Sequence, residues 1–199
     1  GVLALDITAG INPGPLTADA AFSHMLIAPA PHYGASIAGR DITLRVRSVR
    51  PDDFEPLKAF IARCSDTSVL RRLQKHRRDL SDEDFLAFTQ LDYDRERALA
   101  LVDSDRADAQ IHGIGRFVTD PGNETAEFGL LIEDALHKHG FGSALMQLIL
   151  EQARALGVRA LTGFVLTENE PMRRLLKKFR FTEYSVEGNS DIVRCVKEL

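Results

Sequence analysis

The stretch AEFGLLIEDALHKHGFGSALMQLIL, residues 126–150, decides how this chain folds. Its apolar run from Phe128 to Ile132 has the length of a strand, while Leu145, Leu148, Ile149, Ala153 and Leu156 recur at helical spacing after Gly142. That spacing predicts a helix from Phe141 to Leu156, stopped by Gly157, where a left-handed cap conformation is cheap. Between strand and helix lie His137, Lys138, His139, Gly140, Phe141, Gly142 and Ser143. Glycines let backbone approach a ligand closely, and the unpaired amides at a helix start favour an anion, here with Lys138 beside them. The turn is therefore expected to cradle a phosphate group. Two other phosphate loops do not fit: a dinucleotide fingerprint needs a small residue where Leu145 stands, and a P-loop needs Gly-Lys-Ser/Thr where Gly142-Ser143-Ala144 stands. The alternative is that Gly140 and Gly142 only turn the chain into the helix.

Outward from this stretch the pattern is that of a mixed α/β domain. Ile42, Leu44 and Val46 alternate with Thr43, Arg45 and Arg47, as in a strand, and Asp52 or Asp53 can cap a helix whose Phe54, Leu57, Ile61 and Cys64 share a face. Ser81-Asp-Glu-Asp84 has the form of a capping box for a second helix. Strands are expected at Ala98–Val102, Ile111–Val118, Ala126–Ile132 and Arg159–Val165, with a proline-opened helix from Pro171 to Lys178. The segments Phe181–Val186 and Asp191–Val196 flank Gly188-Asn189 as a hairpin. A sheet with helices on both faces follows.

Composition narrows the function. The chain has 199 residues, 44% of them hydrophobic, enough to bury a sizeable core in one domain plus an extension. A formal charge of −4 argues against a general nucleic-acid binder. The basic cluster Arg71, Arg72, Lys75, His76, Arg77 and Arg78 reads as a solvated helical face, with a docking site as the alternative. Cys64 and Cys195 lack any spacing for a metal or disulfide framework, so neither is expected and a reducing cytoplasm fits. No apolar run approaches the roughly 20 residues that span a bilayer, so no membrane association is expected. The first 35 residues hold Pro13, Pro15, Pro29 and Pro31 and show little periodicity.

His137-x-x-Gly140-x-Gly142 resembles the Gln/Arg-x-x-Gly-x-Gly/Ala signature of GNAT N-acetyltransferases, with His137 in place of the usual Gln or Arg. The resemblance extends to Ile42–Asp53, similar to that family's first strand and helix start, and to Leu166–Met172, similar to its pantetheine-binding segment; it covers about residues 40 to 199. Arg180 stands where the family usually has glycine. Asp92–Glu96, Ala126-Glu127-Phe128 and Asn169-x-x-Met172 together are most similar to bacterial Pat-type protein lysine acetyltransferases. The resemblance implies a GNAT fold over 39–199, with a mixed, mostly antiparallel α/β sheet. It also implies that residues 1–38 are a linker after an upstream region related to NDP-forming acyl-CoA synthetases. Gly1–Asp6 is similar to a closing ATP-grasp strand there, and Ile27–Pro31 to the following linker.

The resemblance implies direct transfer from acetyl-CoA to a lysine amine, and no metal is expected. The resemblance implies, as protein partner, an AMP-forming acyl-CoA synthetase; a small amine is the alternative acceptor, and a non-catalytic acetyl-CoA sensor the alternative class. Lysine is protonated at neutral pH, so a base is needed. Glu127 is expected to serve, its pKa raised by burial, with Glu124, Glu133 and Asp134 as competitors along the same run. The resemblance implies that a backbone amide of Leu131 or Ile132 holds the oxyanion and pairs with pantetheine. The cofactor is further expected on residues 137–143, on Asn169 through its amide, with a helix cap as the alternative or added role of Asn169, and on Arg173 facing the nucleotide phosphate. Asp92 and Tyr93 would shape the acceptor side, and Tyr184 is a conceivable proton donor.

Overall fold

The computed structural model describes residues 35–38 and 42–199, apart from 105, 107 and 108. Gly1–Asp6 and Ile27–Pro31 lie outside the described residues. Eight strands form one sheet: β1 (Ala35–Ala38), β2 (Thr43–Ser48), β3 (Glu96–Val102), β4 (Ile111–Thr119), β5 (Thr125–Ile132), β6 (Ala160–Leu166), β7 (Thr182–Val186) and β8 (Asn189–Glu198). Their order is β1-β2-β3-β4-β5-β6-β8-β7, and all neighbours are antiparallel except β5 and β6. β1 corrects the expected boundary at residue 39, because Ala35–Ala38 pairs with Thr43–Val46 and so belongs to the sheet.

The helices are α1 (Phe54–Arg63), α2 (Asp66–Leu73), α3 (Asp82–Thr89), α4 (Phe141–Ala155) and α5 (Glu170–Lys178). Ser81 and Asp84 form the expected capping box at α3. Asp53 does not cap α1; its carboxylate accepts two 2.6 Å bonds from Arg47 and one from the Arg50 amide, tying β2 to the helix entry. α2 begins at Ser65, whose hydroxyl accepts from the Ser68 amide. At the end of α5, Arg180 takes the left-handed conformation, φ 61°, that the glycine usual in the resembled family adopts more easily.

Alternation along β5 splits the core in two. Phe128 and Leu130 pack with Phe141, Leu145 and Ile149 of α4, while Leu131 packs with Phe60, Val69 and Phe88 of the α1–α3 layer. Phe141, Leu145 and Met146 are fully buried, each contributing about 1.5–3 kcal/mol by removal from water. That burial fixes the start of α4, and hence the glycine turn, against β5.

Candidate active site

β5 and β6 pair only over Thr125–Glu127 and Ala160–Thr162, then part. The Phe128 ring occupies the space over Gly163, where the two strands separate. Past this fork the facing backbone edges open a cleft of about 720 Å³, lined by Glu127–Ile132, His137, Lys138, Gly140, Gly142, Ser143, Asn169 and Met172, among others.

Strand parity determines which groups face the cleft. The Glu133 amide donates to His112 O at 2.9 Å and the Asp120 amide to Thr125 O at 2.8 Å, so the odd-numbered residues of β5 turn their backbone groups to β4. The backbone groups of Leu130 and Ile132 therefore face the cleft. This corrects the expectation for Leu131, whose backbone belongs to the β4 ladder opposite Ile114. The Ile132 carbonyl accepts from His137 Nε2 at 3.0 Å, so the His137 ring closes the turn from within.

At the turn, Lys138 and Gly140 both have positive φ, 66° and 96°. The first bond of α4 runs from the Ala144 amide to Gly140 O, and no side chain caps the helix. The amides of Phe141, Gly142 and Ser143 are therefore left without intrahelical acceptors, a seat for an anion. Gly142 has room for a β-carbon, 3.8 Å from Leu175, in keeping with the Gly/Ala of the resembled signature. His139 and Phe141 offer this seat backbone only: the His139 ring donates to His137 O, and the Phe141 ring is in the core. Basic side chains rim the seat. Lys178 Nζ donates to Ser143 Oγ at 3.3 Å, and Arg71, Lys138 and Arg174 line the same cleft.

Asn169 Oδ1 accepts from the Met172 amide at 3.3 Å and so caps α5, leaving its amide nitrogen as the group that can donate to a ligand. Arg173 is a correction. Its guanidinium turns away from the cleft to Glu183, at 2.8 and 3.1 Å, and to Thr167 O. Its neighbour Arg174 and Lys178, one turn on, are the cleft-lining cations of α5. No pattern in the sequence separates Arg173 from Arg174; only the rotation of α5 against the sheet does.

A second cavity, of about 590 Å³, adjoins the first and is lined by residues including Arg72, Phe88, Asp92, Arg95, Glu96, Arg116, Thr119 and Arg194. Glu127 lines both cavities, as do Arg72, Gln74, Phe128, Gly129 and Phe164. Burial raises the Glu127 carboxyl above its ordinary value, against the opposing pull of Arg72. The competing carboxylates are engaged elsewhere: Glu133 with Arg63 and His112, Asp134 with Ser65 and Ser68, and Glu124 with Arg159 at the surface. Tyr93 donates to Val49 O, while Asp92 does line the second cavity. Tyr184, the conceivable proton donor, is 48% exposed on β7, outside the linings of both cavities. The basic cluster is also corrected in part: Arg72 is turned inward beside Glu127 rather than solvated, and desolvation, then Arg116, push its guanidinium down to about 10.

Among the described residues, no group of three or more His, Cys, Asp or Glu could hold a metal ion, and no helix is long and apolar enough to cross a membrane. The paired clefts, the free strand edge and the orphaned helix amides fit the thioester, pantetheine and pyrophosphate of acetyl-CoA.

Comparison with known proteins agrees. The GNAT domain of S. lividans PAT superposes with a TM-score of 0.76 at 27% identity, covering 86% of this chain and 100% of that one. YwnH of Bacillus subtilis (strain 168), provisionally named a phosphinothricin acetyltransferase, is 38% identical over 64 residues, 32% of this chain and 39% of that protein. The chain thus matches well under two thirds of YwnH. RimL, a ribosomal L7/L12 alpha-N-protein acetyltransferase solved in complex with coenzyme A, shares the fold at 14% identity, with a TM-score of 0.64 over 83% of this chain and 98% of that one. The acetyltransferase (GNAT) domain family, whose members use acetyl-CoA, matches residues 43–182, and this chain belongs to it.

Proposed function

We propose that this domain transfers an acetyl group from acetyl-CoA directly to the ε-amine of a lysine on a folded protein, an AMP-forming acyl-CoA synthetase, with Glu127 as general base. The observation that carries this reading is the position of Glu127 on the wall shared by the two cavities, partly desolvated and with its carboxyl raised. A base must be ionised at the working pH yet hold a proton well, and burial moves a carboxyl in that direction.

In this reading the thioester lies along the free edge of β5, its carbonyl accepting from the amide of Leu130 or Ile132. The lysine amine enters from the second cavity and loses a proton to Glu127 through a bridging water. Its nitrogen attacks the carbonyl carbon, and the oxyanion of the tetrahedral adduct is held by the same backbone amide. The attacking nitrogen gives up its second proton to solvent water, and collapse of the adduct then forms the amide and breaks the carbon–sulfur bond. The sulfur leaves as a thiolate and takes its proton from water; a thiol of ordinary pKa near 8.5 needs no dedicated acid. The pyrophosphate rests on the amides of residues 141–143, with Lys138, Arg174 and Lys178 around it. The Asn169 amide nitrogen donates to the pantetheine arm.

Transfer of label from acetyl-CoA to a purified AMP-forming synthetase, set beside free amines, tests the proposal. Labelling of the synthetase on one lysine is the expected result. Labelling of free amines alone would replace the protein acceptor by a small one, the reading that the partial likeness to YwnH favours.

A further inference from the structure

The second cavity carries a charge that acetyl transfer leaves unused. Arg72, Arg95 and Arg116 all line it, and the Nε of each is buried without a hydrogen-bond partner. Arg116, 7% exposed, donates from Nη2 to Glu96 at 2.9 Å and stacks on Phe88. Arg95 donates to Thr119 O at 3.1 Å. Arg72 has neither kind of support: among the described residues it forms no hydrogen bond and no ion pair. Its guanidinium lies directly on the backbone of Gly129, where any β-carbon would overlap it. Glycine at 129 is what leaves room for that cation beside the base.

The carboxylates around this cavity are committed. Glu96 holds Arg116, Asp120 accepts from the Glu124 amide and Thr125 Oγ1, and Asp92 accepts from the Asp94 amide. Glu127 is reserved for the proton of the amine and becomes neutral when it takes it. Arg72 then faces Arg116 with no anion opposite. A buried guanidinium without an anion is strongly disfavoured, and its planar fork of donors matches a carboxylate in both shape and charge.

We propose that the acceptor supplies that anion: the target lysine is flanked by an acidic side chain whose carboxylate seats on Arg72, with the free Nε groups of Arg95 and Arg116 nearby. This specificity rests on the lysine-acetyltransferase reading and extends it to the class of sequence that is modified.

Steady-state rates on two lysine peptides that differ only by Glu or Gln beside the lysine, at saturating acetyl-CoA, test it with the wild-type domain. The Glu peptide should show a KM lower by about tenfold or more, the size of a charge-assisted pair. Equal KM values overturn the inference. The ratio between peptides should collapse toward one in Arg72→Gln and survive in part in Arg72→Lys, which keeps the charge but not the fork. If Arg72→Gln instead lowers kcat equally on both peptides with the ratio intact, Arg72 serves the reacting carbonyl and the inference is wrong. No transfer to either peptide would overturn the lysine reading and not the carboxylate seat. The seat is then tested with free amino acids against their amides, where equal KM values overturn it.

Discussion

The two cavities that meet at Glu127, a cofactor side and an acceptor side, recognise their ligands by different means. The cofactor side is built from backbone: a strand edge unpaired with β6 at Leu130 and Ile132, and helix amides left open at 141–143. The acceptor side is built from side chains, with Glu127, Arg72, Arg116 and Glu96 meeting in a partly desolvated space. Backbone donors are present whatever side chains occupy the strand, so the first side tolerates substitution as long as the turn keeps its shape. The second depends on individual charges. Glu127 belongs to both because the strands part directly after it.

The largest effect that would separate the two sides is expected from Glu127→Gln. Loss of a general base should lower kcat/KM by about 10²- to 10⁴-fold, while calorimetry should find the Kd for acetyl-CoA unchanged. A comparable rise in Kd would mean the sides are not separable.

The same carboxyl makes the acceptor side sensitive to pH. Its folded pKa is raised, so the ionised base is lost as pH falls through that value, and the acid limb of kcat/KM should lie above the ordinary glutamate range. Arg72 opposes this rise, so Arg72→Gln should move the limb to still higher pH. The linkage has a definite sign. A carboxyl raised on folding contributes stability below its unfolded pKa, and loses that contribution as pH rises through the folded value. Glu127→Gln should therefore show no gain in Tm below the ordinary glutamate pKa, a gain that grows as pH rises from there, and its full gain above the limb.

Gly140→Ala attacks the cofactor side without touching the charges. With φ at 96° and nothing within 4 Å of a β-carbon, the cost is conformational alone, about 1–2 kcal/mol. The Kd for acetyl-CoA should rise while kcat at saturation holds; a fall in kcat would show that the turn also positions the thioester.

The smallest effects should come from the α5 cations. Arg174→Ala should weaken acetyl-CoA binding a few-fold, and less so in high salt, where exposed charges are screened. Arg173→Ala should leave it unchanged, since Arg173 is spent on Glu183.

Most of the frame was legible from the chain. Strand Thr125–Ile132, helix Phe141–Ala155, the Ser81–Asp84 box and the hairpin at Gly188 all fall within a few residues of where periodicity and turn chemistry put them. β1 was hidden, because four residues carry no period and gain their strand character only from pairing with β2. Asp53 read as a cap because its spacing suits one; its partnership with Arg47 depends on how β2 enters the helix.

Local patterns by themselves determined the strand, the glycine turn and the helix of residues 126–150, since these depend on neighbours a few positions apart. They also placed Glu127 on the strand that feeds the turn. The tertiary structure alone decided that Leu130 and Ile132, not Leu131, turn their backbone groups to the cleft, that Arg174 rather than Arg173 lines it, and that Arg72 turns inward beside Glu127. Those outcomes follow from strand parity, helix rotation and the packing of one layer on another. Each is fixed by partners distant in sequence.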